Sequence, residues 1–284
     1  MGVSHYAAAP GLLPGAVVST TGYDLRGMPP QLHRGLPSPH LTFIFSLGDP
    51  VVSAATPEGA VGRQATRTDI LLAGLHPGPT FVVQPETQSG IQLAVHPLAA
   101  RRLLGAAASQ LPGEVLQAED VLGADVQRVR HRLLDEDAWP GRFRVLADYL
   151  RVRWLDSRES SVRPELVAAW SWLNERQGAG SVDELAGHVR LSGRQLRALF
   201  HAEVGIGPKR VAGLMRFDAA KQDIAAAVVT GGPLGLAGIA AARGYCDQAH
   251  LDADFGRHAG VSPTGWVQEE RRNIQAGGHQ PAVD

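Results

Sequence analysis

The chain of 284 residues holds a single cysteine, Cys246. No intrachain disulfide can staple it, and the composition suits a reducing compartment. Charge is sparse too: Asp, Glu, Lys and Arg make up only 19% of the residues, and 27 basic against 28 acidic side chains leave a formal net charge of -1. No global basic excess advertises a nucleic-acid partner, so any such partner has to be argued from local pattern. No apolar run approaches the roughly 18 residues of a membrane span, and the N-terminus has no basic segment leading into an apolar core. A soluble, cytoplasmic protein is the expectation. There is also no Gly-x-Ser-x-Gly elbow, phosphate-binding loop or Cys-His pairing, so neither a catalytic residue nor a cofactor is expected. In the N-terminal half His40, His76 and His96 are the only candidates for a metal trio, 36 and 20 residues apart. Without a His-x-His pair on one strand they read as unrelated surface or turn residues, and no metal site is expected.

What is present is a change of period. Apolar residues alternate with polar ones in Val17–Tyr23, Leu41–Leu47, Ile70–Leu75, Thr80–Val83 and Ile91–Val95. That predicts half-buried strands at short intervals, hence a small sheet or barrel. Pro97–Gly105 then reads as helical. Val126, Val129, Leu133 and Leu134, followed by Val145, Tyr149 and Val152, predict two amphipathic helices over 122–136 and 141–156. The charged, serine-rich Asp156–Ser161 reads as a linker. The fold class is therefore α+β. A β-rich domain with trailing helices (1–157) precedes an all-α domain (164–273), and 274–284 is expected to be a disordered tail.

The second half repeats itself. Leu185-Ala186, Leu191, Leu196, Phe200, Gly205 and Pro208 recur as Ile239-Ala240, Tyr245, Leu251, Phe255, Gly260 and Pro263, offset by 54 residues before the turn and 55 after it. One extra residue in the second turn explains the difference. Capping boxes at Ser181/Glu184 and Ser192/Gln195, an N-cap at Asp247 and the pair Ser262-Pro263 mark helix starts. Each copy thus predicts two short helices joined by a tight turn (units 181–204 and 234–259), with one long helix over 208–229 between them. A helix-turn-helix of this kind buries one side of its second helix and leaves the other free for a major groove.

In the first copy Arg194, Arg197 and His201 share an outward face, and Gln195 stands beside them. Arginine matches guanine O6 and N7, and Gln195 could reach an adenine edge or a phosphate. Lys209 and Arg210, at the start of the joining helix, suit phosphate contact. Residues 181–216 carry six Lys and Arg against three Asp and Glu, whereas residues 237–272 carry four against five. The second copy, in GYCDQAHLDADFGRHAGVSP (244–263), is expected to expose three aspartates and one arginine. His201 and His250 are candidate phosphate neighbours.

Two such units, ending in Gly244-Tyr-x-Asp-Gln-x-His-Leu-x-x-x-Phe-x-x-x-x-Gly260-x-Ser-Pro263, resemble the DNA-binding domain of the AraC/XylS family of bacterial transcription regulators. The resemblance covers about residues 164–273. It implies that Arg194, Arg197 and their neighbours read bases in one groove while Gln248, Ala249, Asp252 and Ala253 face bases in the next. It also implies that residues 1–150 form a regulatory or dimerising domain, often a small β-barrel resembling cupins. The sequence departs from the family pattern at Ala253, where arginine is usual. The partners implied are double-stranded promoter DNA and a second copy of the chain, with RNA polymerase and a small-molecule effector as further candidates. The effector-binding residues are unknown, though Arg63 and Pro85–Gln88 are polar enough to line a pocket. The alternative reading is a metal-dependent, cupin-like enzyme with a helical docking domain.

Overall fold

The computed structural model describes residues 3–9, 11–111, 113, 115–157 and 162–275. Of the expected tail at 274–284, residues 274 and 275 belong to the last helix, while 276–284, like part of the expected linker, lie outside these residues. Among the described residues the N-terminal domain contains ten strands: β1 (Val3–Ala8), β2 (Val17–Arg26), β3 (Gln31–Gly35), β4 (Leu41–Ser46), β5 (Val51–Ala54), β6 (Thr66–Thr68), β7 (Ile70–Ala73), β8 (Thr80–Gln84), β9 (Gln88–Val95) and β10 (Val115–Gln117). Its helices are α1 (Pro57–Val61), α2 (Ala100–Leu104), α3 (Glu119–Leu122), α4 (Asp125–Leu134) and α5 (Trp139–Asp156).

The strands form two antiparallel sheets, one of order β1-β2-β9-β4-β7-β10 and one of order β3-β8-β5-β6. In the larger sheet, register pairs Phe43 with both Leu72 and Leu93, and Phe45 with Ile70 and Ile91. Period-two alternation therefore puts these six apolar side chains on one face, where they are buried beneath α2, α4 and α5. The opposite face offers Ile44, Leu71 and Ala73 to Val51 and Val82 of the smaller sheet. The result is three layers: helices, large sheet, small sheet. The two sheets stay separate rather than closing into a barrel. Trp139 lies directly over Gly22 of β2, leaving no room there for a side chain.

Two positions depart from the periodicity. Val152 and Leu134, expected on apolar stripes, are 55% and 41% exposed.

The C-terminal domain is all helix: α6 (Pro164–Glu175), α7 (Val182–His188), α8 (Gly193–Val204), α9 (Pro208–Thr230), α10 (Leu236–Ala242), α11 (Gln248–Ala259) and α12 (Pro263–Gln275). It has two separate cores. One gathers α6, α7, α8 and the start of α9, including Val211 and Met215. The other gathers the rest of α9, from Phe217 to Ile224, with α10, α11 and α12. Only α9 serves both.

His40, His76 and His96 are not unrelated surface residues, because they stand near the boundary between the domains. His96 accepts a hydrogen bond from the Leu98 amide through Nδ1 (3.1 Å) and packs on Trp170 of α6. His76 Nδ1 lies 2.5 Å from the Gly78 carbonyl. His40 is largely buried near Asp218 and Lys221 of α9. Burial lowers the pKa of all three, and burial together with nearby His40 takes His96 to about 4.

A histidine held below its unfolded pKa of about 6.5 takes up its proton more readily when unfolded. Its contribution is therefore complete above about pH 6.5 and is lost as pH falls toward 4. For His96 alone this amounts to on the order of 3 kcal/mol. Urea unfolding at about pH 7.5 and about pH 5 checks it: His96→Gln should show a smaller loss between the two than the wild-type chain. Equal losses would remove His96 from the account.

Candidate nucleic-acid interface

The repeat seen in the sequence is a repeat in space. Leu196 and Phe200 of α8, and Leu251 and Phe255 of α11, are all fully buried. Gly205 and Gly260 end these helices in left-handed conformation, φ 87° and 71°, and Pro208 and Pro263 open the next ones. A left-handed residue is also needed in the turn before each second helix. The second copy uses Gly244 (φ 72°), and the first uses Arg190 (φ 54°), which is strained for a residue with a β-carbon. Cys246 is the extra residue of the second turn, and it is exposed.

Helix α8 starts at the Ser192 capping box, in which Gln195 Oε1 accepts from the Ser192 amide and hydroxyl, each at 2.9 Å. The Gln195 carbonyl is thus engaged in the cap, at the helix end that faces outward. Arg194, Arg197 and His201 are exposed on the side opposite Leu196 and Phe200. Lys209 is exposed on the first turn of α9. Arg210 is exposed too, and it also lines a cleft of about 280 Å³ between the domains with Leu75, His76, Leu111, Ile206 and Leu214.

Helix α11 corrects the expectation of three exposed aspartates at Asp254, which is buried, while Asp247 is exposed as expected. Asp247 is the N-cap, accepting from the His250 amide at 2.8 Å. Asp254 is 1% exposed and accepts from the Tyr245 hydroxyl at 2.9 Å and from Arg257 at 2.6 Å, with His258 Nε2 at 3.6 Å. Burial and the adjoining carboxylate raise the Tyr245 pKa, so the phenol stays a donor. Asp247 remains exposed while it caps, and Asp252 is half-buried near the outward face, with Oδ1 lacking a hydrogen-bond partner among the described residues. One of the three acids is therefore buried scaffold and a second is an exposed cap, so this stretch presents less negative charge than its composition suggests.

Gln248, Ala249 and Ala253 are exposed, and His250 is half-buried against Tyr245. Superposed by the repeat, Arg194, Arg197 and His201 correspond to Ala249, Asp252 and Gly256. The outward face of α11 is thus short where that of α8 is long and basic. Arg257, the one arginine expected to be exposed in this stretch, is 65% exposed beside it.

Two such units, each exposing one side of its second helix and joined by a shared helix, define a double helix-turn-helix DNA-binding domain. Residues 185–269 match the family model described as "Helix-turn-helix domain", and this region is the AraC-type helix-turn-helix domain of a DNA-binding transcription regulator. No curated protein matches the chain. Among solved structures it is similar to ToxT from Vibrio cholerae O395, at 10% identity over 88% of this chain and 96% of that one, with a TM-score of 0.48. It is similar to the C-terminal domain of AraT, a response regulator from Geobacillus stearothermophilus, at 20% identity over 44% and 95%, TM-score 0.35. A further likeness, to the AraC-like transcriptional activator CuxR, has 16% identity over 96% and 86%, TM-score 0.21.

Asp254→Ala should destabilise the second unit by about 1–3 kcal/mol, because it strands the buried Tyr245 hydroxyl. Asp252→Ala, which removes an oxygen with no hydrogen-bond partner, should cost less. Chemical denaturation of both variants checks the ranking, and the reverse order would overturn the assignment of Asp254 as scaffold.

Proposed function

We propose that this regulator occupies promoter DNA with both recognition helices, α8 carrying the stronger base contacts, and that its N-terminal domain modulates occupancy through a small effector, through dimerisation, or both. The observation that supports the division is the exposed pair Arg194 and Arg197 at positions where α11 carries Ala249 and Asp252. Arginine forks match guanine edges bidentately, while Lys209 and His201 flank them for phosphate. On α11, Gln248 is the longest polar reach, and Ala249 and Ala253 let the backbone approach DNA closely, which favours reading by shape. His250 and Asp252 stand at the margin of that contact.

The cleft beside Arg210 is where we place a small effector, since it lies between the domains and joins an apolar wall to one guanidinium. A homodimer working in the cytoplasm, with RNA polymerase as a further partner, completes the reading. Among the described residues no helix is long and apolar enough to cross a membrane. The metal-dependent enzyme is not favoured, because His96 serves as a helix cap and packs between domains.

Selection of bound sequences from random DNA tests this directly. Arg194→Ala and Arg197→Ala should each cost about 1–3 kcal/mol of specific binding and relax the preference at one position. Lys209→Ala should weaken all sequences alike and reduce the salt slope by about one. Unchanged footprints in all three variants would overturn the assignment of α8.

A further inference from the structure

We infer that the N-terminal domain is a clamp that fixes the angle and distance between the two recognition helices, by seating on the left-handed glycine turn at the end of each. This rests on the DNA-binding reading for its consequence but not for its geometry. At the first turn, Ser109 Oγ donates to the Ala202 carbonyl (2.6 Å), and Arg101 Nε contacts both oxygens of Glu203 (2.7 and 3.0 Å). Ser109 packs so closely that a β-carbon on Gly205 would lie 3.0 Å from its Cα. At the second turn, Arg34 of β3 donates through Nη1 to the Ala259 carbonyl (2.9 Å) and forms a two-pronged pair with Glu269 of α12 (2.9 and 3.1 Å). The same guanidinium lies over Phe81, 4.9 Å from the ring centre. His258 Nδ1 meets the Pro77 carbonyl at 3.0 Å.

The two seats are equivalent positions of the repeat, Gly205 and Gly260, held by separate elements of one N-terminal domain. Apolar contacts run the same way, with Leu75 and Leu98 against the first unit's core and Leu36 against the second's. Within the C-terminal domain the units share no core. Besides α9, Arg243 bridges them, paired with Asp223 of α9 and hydrogen-bonded to Gln177 after α6. The clamp is thus a second strut closing a triangle, and it touches the C-terminal ends of α8 and α11, leaving Arg194, Arg197, Gln248 and Ala249 exposed. Arg34 is a positioning residue: its planar fork holds a helix-end carbonyl and both oxygens of a carboxylate in one fixed geometry, which the compact ammonium of lysine does not reproduce.

The clamp makes half-site spacing a property of the whole chain. One added base pair rotates the second site by about 34–36° and moves it by about 3.4 Å, which a fixed pair of helices cannot follow.

Spin labels at Ala198→Cys and Ala253→Cys, in a full-length Cys246→Ser background, report the separation of the helices without DNA. We expect a single narrow distance distribution, broadened by Arg34→Met and by Arg101→Met. On selected DNA, the penalty for one base pair more or less between the contacted segments should fall about 2- to 30-fold in these variants, with the salt slope unchanged. Glu269→Gln and Glu203→Gln, which keep the volume, decide the matter if either arginine variant fails to fold. Narrow distributions and an unaltered spacing penalty in folded variants would overturn the clamp. Broadened distributions in a chain that selects no DNA sequence would uphold it and overturn the DNA-binding reading instead.

Discussion

Everything in the C-terminal half depends on burying two phenylalanines. A recognition helix of twelve residues cannot hold its shape alone in water, so its stability has to come from packing one side. Phe200 and Phe255, with Leu196 and Leu251 one turn earlier, are that side, and each full burial contributes about 1.5–3 kcal/mol. The opposite side is left free only because this one is committed. The same need explains α9: its first half supplies Val211 and Met215 to one phenylalanine's core, and its middle supplies Phe217, 4.9 Å from the Phe255 ring, to the other.

Charge follows the scaffold rather than the reverse. The near-zero net charge of the chain conceals a local division in which α8 turns its arginines outward while α11 buries Asp254, uses Asp247 as a cap and leaves Asp252 half-buried. Asp254 answers Tyr245, Arg257 and His258, so its negative charge is balanced inside the unit and projects little toward DNA. Two copies of one architecture thus arrive at unlike surfaces without altering the apolar positions that define the fold.

Elements with strong period were legible in the sequence. The joining helix, expected over 208–229, runs over Pro208–Thr230, and both capping boxes form as the Ser-x-x-Glu and Ser-x-x-Gln spacings imply. Short strands such as β3, β6 and β10 escaped, because three to five residues at a sheet edge do not establish an alternation. The burial of Asp254 escaped for a different reason. An aspartate in a helix is read as exposed unless a partner is visible, and Tyr245 lies nine residues away across the turn. Arg34 and Glu269, 235 residues apart, leave no local signal at all.

The contrast between the cores and the domain boundary bears on how occupancy can be controlled. Each unit is held by a dozen or so buried apolar side chains, while the boundary combines a few partly buried apolar contacts and hydrogen bonds with two charge pairs that keep some solvent contact, at 17% and 28% exposure for Arg34 and Glu269 and 31% and 14% for Arg101 and Glu203. Pairs of this kind are worth little individually, and they yield before a packed core does. The joint between the domains is therefore less firmly packed than either core, and the cleft lined by Arg210 opens beside it. A ligand there has to prefer one setting of the joint over another by only a few kcal/mol to redistribute it, because a ligand shifts an equilibrium by its differential affinity and no more. Control of the angle between two otherwise rigid units then requires no change within either of them.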